Sequence, residues 1–374
     1  MPAARQSRSL QLDFLRGLAV ILVIGAHIHN IPPSTRRPLK EILELWQHLG
    51  WVGVDLFFVL SGFLVSGLIF KEYIRHGKVS LPRFFIRRAL KIYPAFYVFL
   101  FLALPTIGWI PDKVTVPAFL SEALFVQNYS PWYLWGHTWS LAIEEHFYLL
   151  LGLLLFFLGK RGGPNPFHRL IKIVIATNVL IFLLRIWTLH AFGHAEPWKT
   201  YYCPTHLRLD ELFFGVLLSY CYHFHGRALE QIVTRRLAAI CVVELLLLLP
   251  CLVAGWLKVV ETMWLYSLGL VMLYVGFGLI ILSAMHWQPP RWSSLLYWAI
   301  ATIGYYSYSI YLWHMAILYA ILAVPGGFGF PFGFTIELLL YVGGSIAAGV
   351  LMSRLIEQPL LVVRDRFFPS LSSR

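Results

Sequence analysis

The sequence predicts an all-α polytopic membrane protein with about ten transmembrane helices and both termini in the cytoplasm. Hydrophobic residues make up 59% of the 374 positions and charged residues only 13%, about half the charged fraction of a typical soluble domain. Apolar runs close to the length of a membrane span recur along the whole chain. A soluble protein of this composition would expose a large apolar surface, so we expect one integral-membrane domain over residues 1–374.

The predicted spans follow the apolar segments that approach the roughly 20 residues needed to cross a bilayer. They cover residues 10–31, 52–70, 92–110, 139–159, 169–192, 206–223, 237–256, 264–285, 298–322 and 334–356. The segment 116–129 is shorter, and we interpret it as interfacial or re-entrant. A further span there would break the alternation of basic loops that places both termini inside. One loop, with Arg36, Arg37 and Lys40, departs from that alternation.

Charge and cysteine content narrow the classes of function. The formal net charge is +12, which in a membrane protein indicates basic cytoplasmic loops rather than a nucleic-acid partner. The four cysteines have neither metal-binding nor redox spacing, so no metal is expected. The short basic N-terminus is followed by no convincing cleavage site, and we expect the first apolar run to be retained.

The first predicted span carries ionisable residues on one face. Arg16 and His27 are eleven positions apart, which on a helix is three turns plus about 20°, or about 16 Å along the axis. Asp13 joins the same face three positions before Arg16. Ionisable groups inside a membrane are costly and usually face the bundle interior or a watery cavity. We therefore expect Arg16 in the inner half of the bundle and His27 in its outer half.

Further ionisable residues fall at the depth predicted for His27. Glu144 and Glu145 lie one to two turns inside their span, and adjacent acids on a helix cannot face the same partner. We favour Glu144 facing the site and Glu145 at a helix interface. Arg208 and Glu211 either form an internal ion pair or line the site. Other candidate lining residues are Asp55, Ser61, Trp139, Tyr311 and His314. On the ninth predicted span, one polar face consists of Gly304, Ser307, Tyr311 and His314.

Basic residues gather in the predicted inner half of the bundle. The segment 81–94 is basic and aromatic just before a span. It is typical either of an amphipathic helix at the inner interface or of a generic membrane anchor. The inner basic residues are Arg16, Arg87, Arg88, Lys91 and Arg354. Their position agrees with the excess of Lys and Arg found in cytoplasmic loops.

Five stretches of the chain, in this order, resemble the membrane-bound acyltransferase family 3. They are "LDFLRGLAVILVIGAH", "GVDLFFVLSGFLVSGLI", "FFIRRALKIYPAFY", "HTWSLAIEEHFYLL" and "IGYYSYSIYLWHM". The resemblance runs from about residue 8 to residue 362, nearly the whole chain. The mark of that family is a basic residue followed after ten positions by a histidine, here Arg16 and His27. His146 departs from the family, in which glutamine or another polar residue is common. The chain ends soon after the tenth predicted span, so we expect a single-domain member.

The resemblance implies an O-acyltransferase that moves an acyl group, expected to be acetyl, from cytoplasmic acyl-CoA to a hydroxyl of a sugar, glycan or glycolipid. It implies His27 as the catalytic base, supported by Glu144 or Glu145, with direct transfer and an acyl-histidine intermediate both open. The implied donor-binding residues are Arg16, Arg87, Arg88 and Lys91. The expected partners are acyl-CoA, a carbohydrate or glycolipid acceptor and membrane lipid, in a bacterial inner membrane.

Two other classes of function compete with this interpretation. A proton-coupled transporter also uses intramembrane His and Glu, but the sequence shows neither an inverted repeat nor paired helices broken by Gly or Pro. A purely structural or lipid-binding protein leaves the aligned ionisable residues unexplained. The predicted outer loops are short apart from 111–138. We therefore expect that loop and the span mouths to determine which acceptor is used.

Overall fold

The computed structural model is built from α-helices, and it describes residues 9–29, 31–193, 196, 198–257, 264–287, 293–324 and 333–369, in which there is no strand. The first seven helices are α1 (Leu10–Ala26), α2 (Arg37–Leu49), α3 (Val52–His76), α4 (Leu81–Leu102), α5 (Val116–Ala123), α6 (Trp139–Gly159) and α7 (Leu170–Phe192). The remaining helices are α8 (Leu209–Phe224), α9 (Gly226–Trp256), α10 (Leu270–His286), α11 (Ser294–Tyr305), α12 (Ser307–Leu322), α13 (Phe334–Met352) and α14 (Gln358–Phe367). Among the features used to predict sidedness, residues 1–8 and Arg291 lie outside the described residues, as does Asn30 of the first predicted span.

Six helices in the described part of the chain are long and apolar enough to cross a bilayer. They are α3, α6, α7, α9, α10 together with the turn that precedes it (Leu265–His286), and the continuous run from α13 through α14 (Phe334–Phe367). Helices α1 and α8 are shorter, with 17 and 16 residues, and α4 carries several basic residues. These apolar helices indicate an integral membrane protein. The total of about ten spans and the cytoplasmic location of the termini stay predictions.

The helix that overlaps the predicted span 92–110 begins earlier and ends earlier than that span. Helix α4 already starts at Leu81 and so includes the predicted amphipathic segment, and it ends at Leu102. A single 3₁₀ turn, Leu104–Thr106, follows it. Helix α5 has only eight residues, about 12 Å of helix, so it is too short to cross a bilayer, as the sequence predicted.

The predicted span 298–322 is broken into α11 and α12 at Tyr306. Helix α11 lies so close to α1 that a Cβ on Gly304 would stand 1.7 Å from the Asp13 carbonyl oxygen. A Cβ on Gly17 would likewise stand 2.1 Å from the Ile300 carbonyl oxygen. The polar face predicted for this span is consequently divided. Gly304 faces α1, whereas the other three members, Ser307, Tyr311 and His314, belong to α12.

Helix α2 was not predicted from the sequence. Its basic residues Arg37 and Lys40 belong to the loop that departs from the expected alternation of charge. The helix is held against the end of α1 by Trp46, whose Nε1 donates to the Ile21 carbonyl (2.8 Å), and by Gln47, whose Nε2 donates to the Ile28 carbonyl (2.6 Å). That loop therefore forms an amphipathic surface helix rather than an extended connection.

Close packing of α3 on α8 positions part of the site. A Cβ on Gly62 would lie 2.0 Å from the Leu212 carbonyl oxygen, and one on Gly215 would lie 2.2 Å from the Val59 carbonyl oxygen. Glycine at both positions lets the two backbones touch, as small residues do between membrane helices. This contact brings Asp55, near the start of α3, to the start of α8.

Candidate functional site

Three histidines form a cluster at the end of the bundle where α1 finishes. His27 directly follows the last residue of α1, and its ring centroid lies 5.1 Å from that of His314 on α12. The His314 ring lies 4.9 Å from His137, in the turn before α6. His137 and His314 are buried and His27 is half-buried. We call these three residues the histidine cluster.

Hydrogen bonds to main-chain carbonyls determine which ring nitrogens carry protons. A carbonyl oxygen can only accept, so the nitrogen that faces it must be the donor. His27 Nδ1 donates to Val23 (2.9 Å), and His314 Nδ1 donates to the Tyr311 carbonyl (2.5 Å). His137 Nε2 donates to the Leu312 carbonyl (3.2 Å). The other ring nitrogens of His137 and His314 have no hydrogen-bond partner among the described residues. Each neutral ring therefore directs an unshared electron pair away from its carbonyl.

His137 was not among the candidates from the sequence, although it opens the stretch "HTWSLAIEEHFYLL". It lies just before a predicted span, where an ionisable residue is unremarkable. Its place in a stretch that carries the family resemblance was a signal that could have identified it. Spacing along one helix, however, cannot relate a residue in a turn to His27 and His314. The cluster joins three segments that are distant in sequence.

A small cavity with basic lining lies deeper in the bundle, between α1, α3, α4, α6 and α12. Its volume is about 70 Å³. Three predicted donor-binding residues line it, Arg16, Arg88 and Lys91, together with Ser61 and Glu144. The full lining is Arg16, Phe57, Leu60, Ser61, Leu64, Val65, Arg88, Lys91, Ile92, Glu144, Tyr148 and Tyr308. We call it the basic cavity.

Glu144 and Glu145 face different surroundings. Glu144 accepts a hydrogen bond from the Tyr148 hydroxyl (3.0 Å), which itself lies 2.7 Å from Ser61 Oγ. Arg16 and Lys91 are close enough to interact with the charge of Glu144. Glu145 accepts from the Tyr93 hydroxyl (3.0 Å), across the contact between α6 and α4. Within the described residues neither carboxylate is hydrogen-bonded to His27, whose ring is held by the Val23 carbonyl.

Arg87, the fourth predicted donor-binding residue, does not line the basic cavity. Its guanidinium pairs with Asp365 of α14 at 3.0 Å and also donates to the Phe368 carbonyl. Although Arg87 and Arg88 are neighbours, they point toward different parts of the molecule, Arg87 toward the last helix and Arg88 toward the cavity.

Asp55, Arg208 and Glu211 belong to a buried ion cluster. Arg208 Nη2 donates to Asp55 (2.7 Å) and to Glu211 (3.1 Å), so the internal ion pair anticipated from the sequence is present. Arg185 donates to Asp210 (2.6 Å) beside it. All five side chains are at most 1% exposed. Arg185 and Asp210 were missed, although an arginine inside a predicted span should have been a warning.

A larger cavity opens at the same end of the bundle as the histidine cluster. Its volume is about 550 Å³, and its walls are formed by residues from the segments 127–139, 187–192 and 198–206. The aromatic lining residues are Tyr129, Tyr133, Trp135, Trp139, Trp187, Phe192 and Trp198. Trp139, a predicted lining residue, also lies over the Arg208 guanidinium at 5.6 Å. We call this space the aromatic cavity; one wall lies in the loop 111–138 that the sequence singled out.

A chain of contacts connects the two cavities through the histidine cluster. Trp135 lines the aromatic cavity, and its ring is 6.3 Å from that of His137. On the other side, the Tyr311 hydroxyl donates to the His137 carbonyl (2.8 Å) and lies 2.5 Å from Ser140 Oγ. The Tyr311 ring is 6.0 Å from Phe57, which lines the basic cavity. The cluster thus lies between the cavities.

Glu122 holds the loop that carries His137. One carboxylate oxygen accepts from the amides of Leu134 (3.1 Å) and Trp135 (3.0 Å), and the other accepts from the Thr138 hydroxyl (2.7 Å). Burial raises the pKa of Glu122 to about 7. This residue lies on α5, outside the candidate membrane spans. The buried carboxyl of Glu122 therefore helps to fix the conformation of the turn before α6.

Comparison with known proteins identifies the family of this chain. A family model described as an acyltransferase domain, of the acyltransferase 3 type, matches residues 9–354. The peptidoglycan O-acetyltransferase OatA of Listeria monocytogenes is 29% identical over 330 residues, which is 82% of this chain and 49% of that protein. The O-acetyltransferase OatA of Staphylococcus aureus is 27% identical over 326 residues, 82% of this chain and 50% of that protein.

The chain spans about half the length of the curated relatives it matches. No solved structure matches it. The family match, in contrast, extends from the start of the described residues through α13 and includes the residues that line the basic cavity. This chain belongs to the acyltransferase 3 family.

Proposed function

We propose that the protein is a membrane O-acyltransferase that transfers an acyl group, acetyl in the simplest case, from cytoplasmic acyl-CoA to a hydroxyl of a glycan or glycolipid. The observation that carries the proposal is the histidine cluster, which lies between a basic cavity and an aromatic cavity. Family membership supports acyl transfer, and the relatives named as O-acetyltransferases support acetyl as the group and a glycan as the acceptor.

In the proposed reaction, His27 is the general base. Its Nδ1 proton is held by the Val23 carbonyl, so Nε2 is the nitrogen that takes the proton from the acceptor hydroxyl. As that proton leaves, the oxygen forms a bond to the thioester carbonyl carbon. The carbon–sulfur bond then breaks, and the imidazolium returns the proton to the sulfur. The products are an ester and a free thiol, and His27 is neutral again.

The basic cavity is proposed as the route of the acyl-CoA arm. Arg16, Arg88 and Lys91 suit its phosphates at the cytoplasmic end. A volume of about 70 Å³ holds only a few water molecules, so donor binding must move the surrounding side chains apart. Arg87 would contribute only after releasing Asp365. On this proposal the basic end faces the cytoplasm of a bacterial cell, and the protein lies in its inner membrane.

Replacing His27 tests the proposal directly. His27→Ala should lower acyl transfer by about 10²–10⁴-fold, the usual contribution of general acid–base catalysis. His286→Ala is a matched control, because His286 also ends a helix and its Nδ1 also bonds the carbonyl four residues earlier, at 2.9 Å. Product is measured by mass spectrometry in membranes with equal amounts of folded protein. Transfer by His27→Ala within a few-fold of wild type would remove His27 from the mechanism.

A proton-coupled transporter is the second candidate, because the structure adds an observation in its favour. The helix break at Tyr306 and the buried ion cluster resemble the discontinuous helices and intramembrane charges of transporters. Liposomes holding a glycan inside and labelled acyl-CoA outside distinguish the two. An acylated glycan supports the enzyme, whereas labelled substrate that crosses unmodified supports the transporter.

A further inference from the structure

We propose that the aromatic cavity binds the acceptor, and that it selects a short segment of neutral, N-acylated glycan over a cationic amino-sugar glycan. This inference rests on the proposed function and deepens it by naming the acceptor class. The volume of the aromatic cavity, about 550 Å³, lies within the range of about 300–1,000 Å³ typical of small-molecule sites. That space suits a few sugar units rather than a broad polymer surface.

In one wall of the cavity Trp139 and Trp198 meet edge to face, and Trp198 stacks on Tyr202, which lies behind the lining. Trp198 lies 4.8 Å from Tyr202 and 5.6 Å from Trp139, measured between ring centroids. Arg208 lies 4.1 Å from the Tyr202 ring centroid, on the buried side of the stack. The C–H face of a pyranose is apolar and slightly positive, so it packs well on the negative face of an aromatic ring. We call Trp139, Trp198 and Tyr202 the aromatic platform. Its contacts with the buried ion cluster keep it rigid before a sugar binds.

Two amide side chains supply unused hydrogen-bond acceptors. Gln127 Nε2 donates to the Thr138 carbonyl (2.8 Å), and Asn128 Nδ2 donates to Thr205 Oγ1 (2.5 Å). The Thr138 carbonyl can only accept, so its bond fixes the orientation of the Gln127 amide. The remaining side-chain oxygens of Gln127 and Asn128 are buried and have no partner among the described residues. Both residues line the cavity and are at most 8% exposed. Buried acceptors without partners are costly, and sugar O–H and N–H groups would satisfy them once binding turns these side chains toward the cavity.

The same wall offers one unused donor. Trp135 Nε1 is buried and has no hydrogen-bond partner within the described part of the chain. The carbonyl oxygen of an N-acetyl group is an acceptor of the right kind for it. An N-acylated sugar thus presents donors to the amide oxygens and an acceptor to the indole, which a hydrocarbon chain cannot do.

The charges of the lining disfavour a cationic sugar. Among the described lining residues there is no Asp or Glu, and Lys199 supplies a positive charge. The Lys199 ammonium lies 5.2 Å from the Tyr133 ring centroid, and its carboxylate neighbour, Glu196, is 3.9 Å away and 78% exposed. A free amine bound in this cavity would lose water without gaining a buried counter-charge. N-acylation of the amine removes that cost.

Position within the bundle connects this cavity to the reaction. Trp135 and Gly136 form part of the lining, and the next residue, His137, belongs to the histidine cluster. A glycan seated on the aromatic platform would therefore present a hydroxyl beside the cluster. The same turn contributes to both substrate binding and the reactive centre.

The test uses the full chain in nanodiscs and two soluble probes, a β-1,4-linked tetramer of N-acetylglucosamine and its fully de-N-acetylated, cationic form. Binding is measured by calorimetry at fixed ionic strength. We expect the neutral tetramer to bind at least about tenfold more tightly than the cationic one. Trp198→Ala should weaken binding of the neutral tetramer at least about tenfold, and Trp198→Phe should restore most of it. Trp109→Ala is the matched control, because Trp109 is similarly exposed (49%, against 47% for Trp198) but does not line the cavity.

Each result has one meaning. If the wild type and Trp198→Ala bind the neutral tetramer equally well, the aromatic cavity is not the acceptor site. If the wild type binds the two tetramers equally well, the cavity does not select against a cationic glycan. Transfer to the glycan should fall in Trp198→Ala while binding of acyl-CoA stays unchanged. Binding that depends on Trp198 in a protein that transfers no acyl group would uphold the site and refute the proposed function.

Discussion

At the scale of single residues, His27 owes its orientation to a main-chain carbonyl and not to a carboxylate. The Val23 oxygen lies one helical turn before it and fixes the ring with a single hydrogen bond. A carbonyl supports an imidazolium through its dipole only, which is weaker than a full negative charge. In the proposed reaction, a base held in this way regains its neutral form readily, which suits a group that takes and returns one proton in each turnover.

Glu122 gives a prediction about pH. Its pKa in the folded protein is about 7, against 4.5 for an unperturbed glutamate. The folded state therefore binds this proton more tightly than the unfolded chain does. The resulting stabilisation is complete below about pH 4.5 and is lost as the pH rises through 7, by at most about 3 kcal/mol.

Glu122→Gln should remove this part of the pH dependence, because an amide of the same shape does not titrate. Thermal unfolding in one detergent, measured at pH 5 and pH 8, checks it. The wild-type melting temperature should fall more between these values than that of Glu122→Gln. Glu41→Gln, at an exposed ion pair on α2, should follow the wild type. A variant at position 122 with the full wild-type pH dependence would contradict the assignment.

At the scale of helices, the contact of α11 with α1 depends on glycine. A methyl group on Gly304 would stand 1.7 Å from the Asp13 carbonyl oxygen, so the two helices would have to separate. Gly304→Ala should therefore destabilise the protein by about 1–3 kcal/mol and reduce activity, since α1 carries Arg16 and leads into His27. Gly343→Ala, in α13 with no atom within 4 Å, should instead stabilise by about 0.5–1 kcal/mol.

Thermal unfolding of both glycine variants in one detergent gives the comparison. Opposite signs are expected, because the same substitution meets a backbone in one place and open space in the other. A similar change of melting temperature in both variants would mean that only helix propensity matters. In that case α1 and α11 can move apart without a cost in stability.

The sequence located a helix accurately where a single signal defines it. The span 139–159 was predicted with the ends that the structure has, because apolar length alone defines it. The span 298–322 was predicted as one helix, whereas the structure divides it at Tyr306, because a continuous apolar run does not show where a helix breaks. His137 and Arg185 were missed because their roles arise from partners far away in sequence. Periodicity along one helix carries no information about such partners.

At the scale of the whole molecule, the two cavities predict separable effects on the two substrates. Arg88 lines the basic cavity and does not line the aromatic cavity. Arg88→Ala should raise the dissociation constant for acetyl-CoA about tenfold, the loss expected for a hydrogen bond to a charged group. It should leave the affinity for the neutral tetramer unchanged. Titration of the protein in nanodiscs with each ligand measures both.

Arg235→Ala is the control for Arg88→Ala, because it removes the same charge from an exposed position on α9. If both variants bind acetyl-CoA as the wild type does, the basic residues act only in membrane topology. If both substitutions weaken the binding of acetyl-CoA equally, the effect comes from the overall charge of the protein and not from the basic cavity.

The location of the histidine cluster between the two cavities also has an electrical consequence. In the proposed reaction the acyl group leaves toward the glycan, and the proton of the acceptor hydroxyl ends on the sulfur of CoA at the other side. An acyl group and a hydrogen atom are thus exchanged across the bilayer, and no net charge crosses it. The membrane voltage then neither drives nor opposes turnover, and the direction of transfer is set by the chemical free energy of the thioester alone.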